Sequence, residues 1–182
     1  MPDGGNKGSF VQGYDAQIAV DSESQVIVAA EVTQETNDKK QLLPMMAQIV
    51  TTDQKPEKIS ADTGYFSEAN VTDESVKGVD LYVATEGDKH GSSEAARCEP
   101  PPRGASPEQT MRSKLRTESG RAVYKMRKAI VMESVFGQIK ELRGFRRFSL
   151  RGKQNVRREW RLVCAVSNLL KLFQSGWALE TA

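Results

Sequence analysis

Asp62 and Glu133 are the residues of this chain whose type and context best suit chemistry. Asp62 closes the short run Lys58-Ile59-Ser60-Ala61 and precedes the breaker Thr63-Gly64. In open α/β sheets, sites collect where a strand ends and a loop begins. The same position also suits an Asx turn or a cap for the next helix. Glu133 lies in a helical stretch with Met126, Ala129, Ile130, Phe136 and Gly137 seven, four or three positions away. Those offsets predict that Glu133 is on the inward face of the helix. A carboxylate turned toward a core is costly unless it is paired or binds a metal. A salt bridge to a nearby Arg or Lys satisfies it as well as a metal does. Lys140 follows on the same face about 10 Å along the axis, either to reach a phosphate or to stand as a surface lysine.

The charge distribution gives these carboxylates a setting. The net charge is only +2, but between Met111 and Phe173 there are 17 Lys and Arg against 4 Glu and no Asp, which leaves +13. The rest holds 9 basic and 20 acidic residues. A polyanion-binding segment next to an acidic one explains the split; a solvated basic helix face is the plainer alternative. Arg143, Arg146, Arg147 and Arg151, with Lys140, are the candidate DNA contacts. Carboxylates beside a basic surface suit metal-assisted phosphoryl chemistry. Mg²⁺ takes a few carboxylates plus waters and phosphate oxygens, and two ions ~4 Å apart can serve the attacking and leaving oxygens. The basic surface would hold the backbone without reading sequence.

Elements must position these groups. Tyr14, Ala16, Ile18 and Val20 alternate with Asp15, Gln17 and Ala19, and the run from Val26 to Val32 is rich in β-branched residues, so 13–33 reads as a hairpin turning at Ser22–Gln25. A helix is predicted from about Asn37 to Val50, a strand over 58–62, a helix capped by Ser67 through about Lys77, and a strand over 79–84. The resulting β-β-α-β-α-β order predicts a mixed α/β fold. Gly87, Gly91, Pro100, Pro101, Pro102, Gly104 and Pro107 mark 86–110 as a flexible insertion. Helices are predicted again from about Gly120 to Leu142 and from about Asn155 to Phe173, the last burying Val156, Trp160, Val163, Cys164, Val166, Leu169, Leu170 and Phe173. Residues 1–9 are expected to fray, and 176–182 to form a tail. No apolar run nears the ~18 residues of a membrane span, and Met1-Pro2-Asp3-Gly4-Gly5 lacks the pattern of a signal peptide. Cys98 and Cys164 form no CxxC. A soluble, cytoplasmic protein with free thiols and no membrane partner is expected.

Three ordered pieces carry a resemblance. Gly13-Tyr14-Asp15-Ala16-Gln17-Ile18-Ala19-Val20-Asp21 with Val26-Ile27-Val28, then Ala61-Asp62-Thr63-Gly64-Tyr65, then Val135-Phe136-Gly137-Gln138-Ile139-Lys140 with Gly144-Phe145-Arg146-Arg147-Phe148, are together similar to DDE transposases of bacterial insertion sequences, in particular the eleven-eighty-two-like group. The resemblance spans nearly all of 10–175. It implies a ribonuclease-H-like mixed sheet with flanking helices, three metal-binding carboxylates, and Mg²⁺ or Mn²⁺ as cofactor. Asp62 matches the second carboxylate and Glu133 the third. The third sits in a signature of Tyr, two residues, Arg, three residues, Glu, six residues, Lys. Tyr124 and Arg127 keep the first spacing and Glu133 and Lys140 the last, but five residues, Lys128 to Met132, stand in the middle gap. Two extra residues turn an α-helix by about 200°. The family's first Asp belongs to a strand before the hairpin; only about ten residues precede it here, and Asp3 stands in Pro-Asp-Gly-Gly. Asp21 is read as opening the hairpin turn rather than replacing that Asp.

These features imply a transposase that cuts and joins the DNA of insertion-sequence ends and targets, with this chain as a C-terminal fragment lacking the first strand and first Asp. The alternative is an inactive DNA-binding remnant or regulator of a transposable element. Partners implied are DNA and either a further copy or intact transposase, in the bacterial cytoplasm at the nucleoid.

Overall fold

The structure, a computed structural model, describes residues 13–50, 55–85 and 101–175, apart from the side chains of Met132 and Glu133. The segments 1–9 and 176–182 and the 86–100 part of the expected insertion lie outside the described residues. In chain order the elements are β1 (Asp15–Val20), β2 (Ile27–Thr33), α1 (Leu42–Val50), β3 (Lys58–Ala61), α2 (Glu68–Thr72), β4 (Asp80–Val83), α3 (Pro107–Arg116), α4 (Glu118–Arg127), two π-helical segments (Lys128–Phe136 and Gln138–Leu142) and α5 (Lys153–Gln174). This is a mixed α/β chain in the predicted order. Among the described residues the strands form two two-stranded sheets, β1-β2 antiparallel and β3-β4 parallel. The chain divides into two compact units, 37–129 and 1–36 with 130–182.

In the first of these units, Asn37 caps a 3-10 turn over Asp38–Lys40, and α1 buries Leu42, Met45 and Met46. Pro44 sits in the first turn of α1, where its missing N–H breaks no bond. Ser67 caps α2 by accepting from the Asn70 N–H at 3.1 Å. The far edge of β4 is closed by α3: the Val83 N–H meets Met111 Sδ at 3.5 Å, and Lys114 Nζ donates to the Leu81 carbonyl at 2.7 Å and to the Asp80 carboxylate. That lysine holds Asp80 below the usual carboxylate range. Leu42, Met46, Ala61, Phe66, Val76, Leu81, Val83 and Met111 make the core.

Helical structure resumes at Pro107, earlier than the Gly/Pro pattern implies. Ser106 forms a capping box with Gln109, and Pro107 takes the first helical position. Proline there is preorganised for the helix, so the residue read as a breaker is a start signal. A second helix start follows at once, with Thr117 accepting from the Gly120 N–H. A Cβ on Gly120 would lie 2.2 Å from the Lys114 carbonyl oxygen, so the tight α3–α4 turn requires glycine.

In the second unit, the β1-β2 hairpin turns through Asp21, whose carboxylate accepts from the Ser24 N–H (2.7 Å), the Ser24 hydroxyl (2.6 Å) and the Glu23 N–H (3.2 Å). Those bonds lower its pKa, the serine hydroxyl most. Asp21 is thus committed to the turn. Helix α5 packs on β2 through polar anchors as well as apolar ones. Asn168 exchanges both amide bonds with the Ile27 backbone at 2.8 Å, and the Trp160 indole N–H donates to the Gln17 carbonyl at 3.1 Å. Ile27, Val32, Val135, Ile139, Val156, Trp160 and Cys164 form the core here, and burial raises the Cys164 thiol to about 12.

The buried stripe of α5 differs from the predicted one. Val156, Trp160, Cys164 and Ser167 face inward, whereas Val166, Leu169, Leu170 and Phe173 are exposed. Hydrophobicity alone groups the leucines with the tryptophan. The rotation is set instead by the positions of Trp160 and Asn168, and a 3.6-residue period from Trp160 leaves 166, 169 and 173 on other faces. Truncating Trp160→Ala should therefore destabilise the chain by ~3–5 kcal/mol, while Leu169→Ser should stay within ~0.5 kcal/mol. Urea unfolding of both variants checks this; equal losses would contradict the assigned face.

Candidate active site and basic surface

Asp62 stands directly after parallel strand β3 and caps the 3-10 turn Thr63–Tyr65. Its Oδ1 accepts from the Thr63 N–H at 2.8 Å and from the Tyr124 hydroxyl at 3.1 Å, and Arg127 Nη2 lies 3.6 Å away. The cap reading therefore holds for this residue. Oδ2 accepts no hydrogen bond among the described residues, and the side chain is half exposed, at 52%, whereas Arg127 retains only 12%. A Cβ on Gly64 would meet Asp38 Oδ2 at 2.9 Å, which explains a glycine two residues after Asp62.

Tyr124 and Arg127, three residues apart on α4, reach Asp62 together. The guanidinium carbon lies 4.8 Å from the Tyr124 ring centroid. Arg127 Nε is buried with no partner among the described residues. The Tyr124 phenol is pushed above its ordinary value by burial first and by the Asp62 charge second. Their Tyr-x-x-Arg spacing is the signal in the sequence for this contact, and the wide gap that follows does not disturb it.

That gap coincides with the π-helix Lys128–Phe136. A π turn closes i→i+5 and so holds roughly one residue more than an α turn. The chain accommodates the longer spacing by widening its turns. The same widening invalidates offsets counted at 3.6 per turn: Met126 and Ala129, placed inward by that count, are exposed, while Val135 and Ile139 are sealed in the core. The Glu133 backbone belongs to this π-helix; its side chain lies outside the described residues.

The candidate DNA contacts all belong to the unit containing the hairpin. Phe145 and Phe148 pack on Trp160, with ring centroids 6.3 and 6.2 Å away. Glu159 accepts from the Ser149 N–H at 2.9 Å and the Leu150 N–H at 3.0 Å. Gly144, at φ 65°, makes the turn that starts this loop. The loop is thus pinned by its aromatics, while Arg146, Arg147 and Arg151 are exposed. Arg146 pairs with Glu141, and Lys140 Nζ lies 5.2 Å from the Phe136 ring centroid. Arg147 and Arg151 have no ion pair among the described residues, and Arg143 is half-buried.

Among the described residues no three His, Cys, Asp or Glu side chains gather as ligands. Asp62 fits as one ligand, with a hard oxygen, Oδ2, clear of other partners. Substituting Asp62→Asn removes the negative charge that disfavours the phenolate, so the Tyr124 pKa should fall while burial still keeps it above the ordinary value. Tyrosinate absorbance across an alkaline titration, differenced against Tyr124→Phe, measures it; an unchanged Tyr124 would refute the contact.

Comparison with known proteins adds one finding. No curated protein and no solved structure matches this chain. Residues 2–169 match a family described as transposase DDE domain. With most of the chain inside that match, and with Asp62, Tyr124 and Arg127 gathered at a strand end, the protein belongs to the transposase DDE domain family.

Proposed function

We propose that this chain, over 10–175, is a ribonuclease-H-like domain of an insertion-sequence transposase of the eleven-eighty-two-like group, built for divalent-metal-dependent DNA cleavage and strand transfer. Asp62 and Glu133 are its metal ligands, for Mg²⁺ or Mn²⁺. The observation that carries this reading is the convergence of Tyr124 and Arg127 on Asp62 at the end of a parallel strand. Transposase family membership supports DNA as the partner. When bound, the metal would activate the attacking oxygen and stabilise the leaving one. The chain's own groups do the rest: Asp62 presents Oδ2, the Tyr124 hydroxyl orients the carboxylate, and Arg127 adds positive charge beside it. Lys140, Arg143, Arg146, Arg147 and Arg151 hold the phosphate backbone.

A second reading, a DNA-binding remnant or regulator that does not cut, is favoured by one observation. The charged partner of Asp62 is the cation Arg127, and Asp21 is committed to its turn. A cation beside Asp62 competes with a metal ion for that carboxylate.

The two readings agree on DNA binding and differ in activity. Five phosphate contacts predict a salt slope of about −4.5, a loss of roughly 500-fold in affinity between ~50 and ~200 mM salt. Affinity independent of salt would refute the basic surface. Incubated with a labelled insertion-sequence end and Mg²⁺ or Mn²⁺, the chain should cleave and join on the first reading and do neither on the second. Metal-dependent cleavage that vanishes in Glu133→Ala would refute the inactive reading and uphold the ligand assignment.

A further inference from the structure

Lys114 is a joint between β4 and the start of α4. Its Nζ donates to the Leu81 carbonyl at 2.7 Å and to the Asp80 carboxylate, and lies 4.1 Å from the Tyr82 ring centroid. The Tyr82 hydroxyl donates to the other Asp80 oxygen at 2.8 Å, so that carboxylate is held from two sides. These contacts fix the end of α3 to the first residues of β4. The Lys114 carbonyl, meanwhile, accepts from the Thr117 N–H at 3.2 Å and from the Thr117 hydroxyl at 2.7 Å. That hydroxyl accepts in turn from the Gly120 N–H at 3.0 Å and caps α4. Gly120 lies so close to the Lys114 carbonyl that no side chain fits between them. One residue therefore sets both where α3 meets β4 and where α4 begins.

The lengths of helix and strand match from that joint onward. Asp80 pairs with Lys58 in parallel register, so both stand at one level of the sheet. Asp62 follows Lys58 by four residues, or about 13 Å of strand. On α4, Tyr124 and Arg127 follow Thr117 by seven and ten residues, or about 10 and 15 Å of helix. A helix begun near the level of Asp80 and packed against β3 and β4 thus delivers both side chains to the level of Asp62. There the Tyr124 hydroxyl donates at 3.1 Å and Arg127 Nη2 lies 3.6 Å away. Among the described residues of α4, Gly120 alone is buried. Apolar knobs therefore do little to fix the helix along its axis, and the polar contacts at its two ends take that role. A slip of one helical turn, ~5.4 Å, would take the Tyr124 hydroxyl out of hydrogen-bonding range.

We infer that Lys114 is a positioning residue: by tying β4 to the start of α4, it sets the level at which Tyr124 and Arg127 meet Asp62. That this alignment serves DNA cleavage rests on the proposed function; the alignment itself does not. Groups at a functional site must be held to within ~0.5 Å by side chains that are themselves locked, and Lys114 is locked by its carbonyl, carboxylate and ring contacts.

The test follows the Tyr124 ζ-carbon by NMR at neutral pH, in the full chain labelled with ¹³C-tyrosine, with the signal assigned by its loss in Tyr124→Phe. In the parent chain Asp62→Asn should move that signal, and the move measures the contact. In a Lys114→Met background the same change at Asp62 should leave the signal in place. Lys114→Arg, which keeps the charge and the donors, should restore the response. Val76→Ala, which removes core volume elsewhere in the same unit, should lower the urea midpoint and keep the response, so loss of stability alone does not mimic loss of position. Should Lys114→Met fail to fold, Asp80→Asn decides instead: it removes the ion pair, leaves the Leu81 bond and should lose most of the response. A full response in a folded Lys114→Met or Asp80→Asn chain would overturn this inference and leave the proposed function standing. No response to Asp62→Asn in the parent chain would overturn the inference together with the contact that carries the proposed function.

Discussion

One helical run has to satisfy two different sets of neighbours. Before Lys128, α4 must bring Tyr124 and Arg127 to Asp62. After it, Val135 and Ile139 must be sealed against Val156 and Trp160. The hydrogen bonding changes to i→i+5 over Lys128–Phe136 and Gln138–Leu142, so the run does not keep a constant 3.6-residue period. Such wide turns are rare and tend to occur at functional sites. Here they fall on the very residues by which the chain departs from the family signature, and Glu133 lies among them.

The basic segment is organised by the same logic of anchor and display. In Gly144-Phe145-Arg146-Arg147-Phe148 the aromatics pack on Trp160 and the arginines are left exposed. Glu159 and Glu141, two of the few acidic residues in this stretch, are engaged with the loop backbone and with Arg146. Positive charge therefore remains available at Arg147, Arg151 and Arg143. The other anchors are also polar: Asn168 on Ile27, Trp160 on Gln17, and Arg157 on Glu31. Each satisfies a group that would be costly to bury alone.

How much of this could be read from the sequence depended on whether one local rule governed the residue. Period-2 alternation located the hairpin, and the strand-then-breaker pattern located Asp62 at its strand end. Ser67 behaved as its type predicts. Local rules fail where two of them compete. Pro107 carries a breaker signal, but after a capping serine it starts a helix. Hydrophobicity alone places the leucines of α5 in the core, but the polar anchors that rotate the helix leave them exposed. The backbone around Glu133 does not keep the α period that an inward face there requires.

The central proposal is that Asp62 and Glu133 are ligands of a divalent ion. The most direct test is a crystal structure of the chain grown with Mn²⁺, with the ion located by its anomalous scattering. The account predicts one strong site with Asp62 Oδ2 and a Glu133 oxygen both at coordination distance, about 2.0–2.2 Å, and Tyr124 still bonded to Oδ1. Mn²⁺ bound elsewhere, or a Glu133 carboxylate paired with a basic side chain and turned away from Asp62, would contradict it.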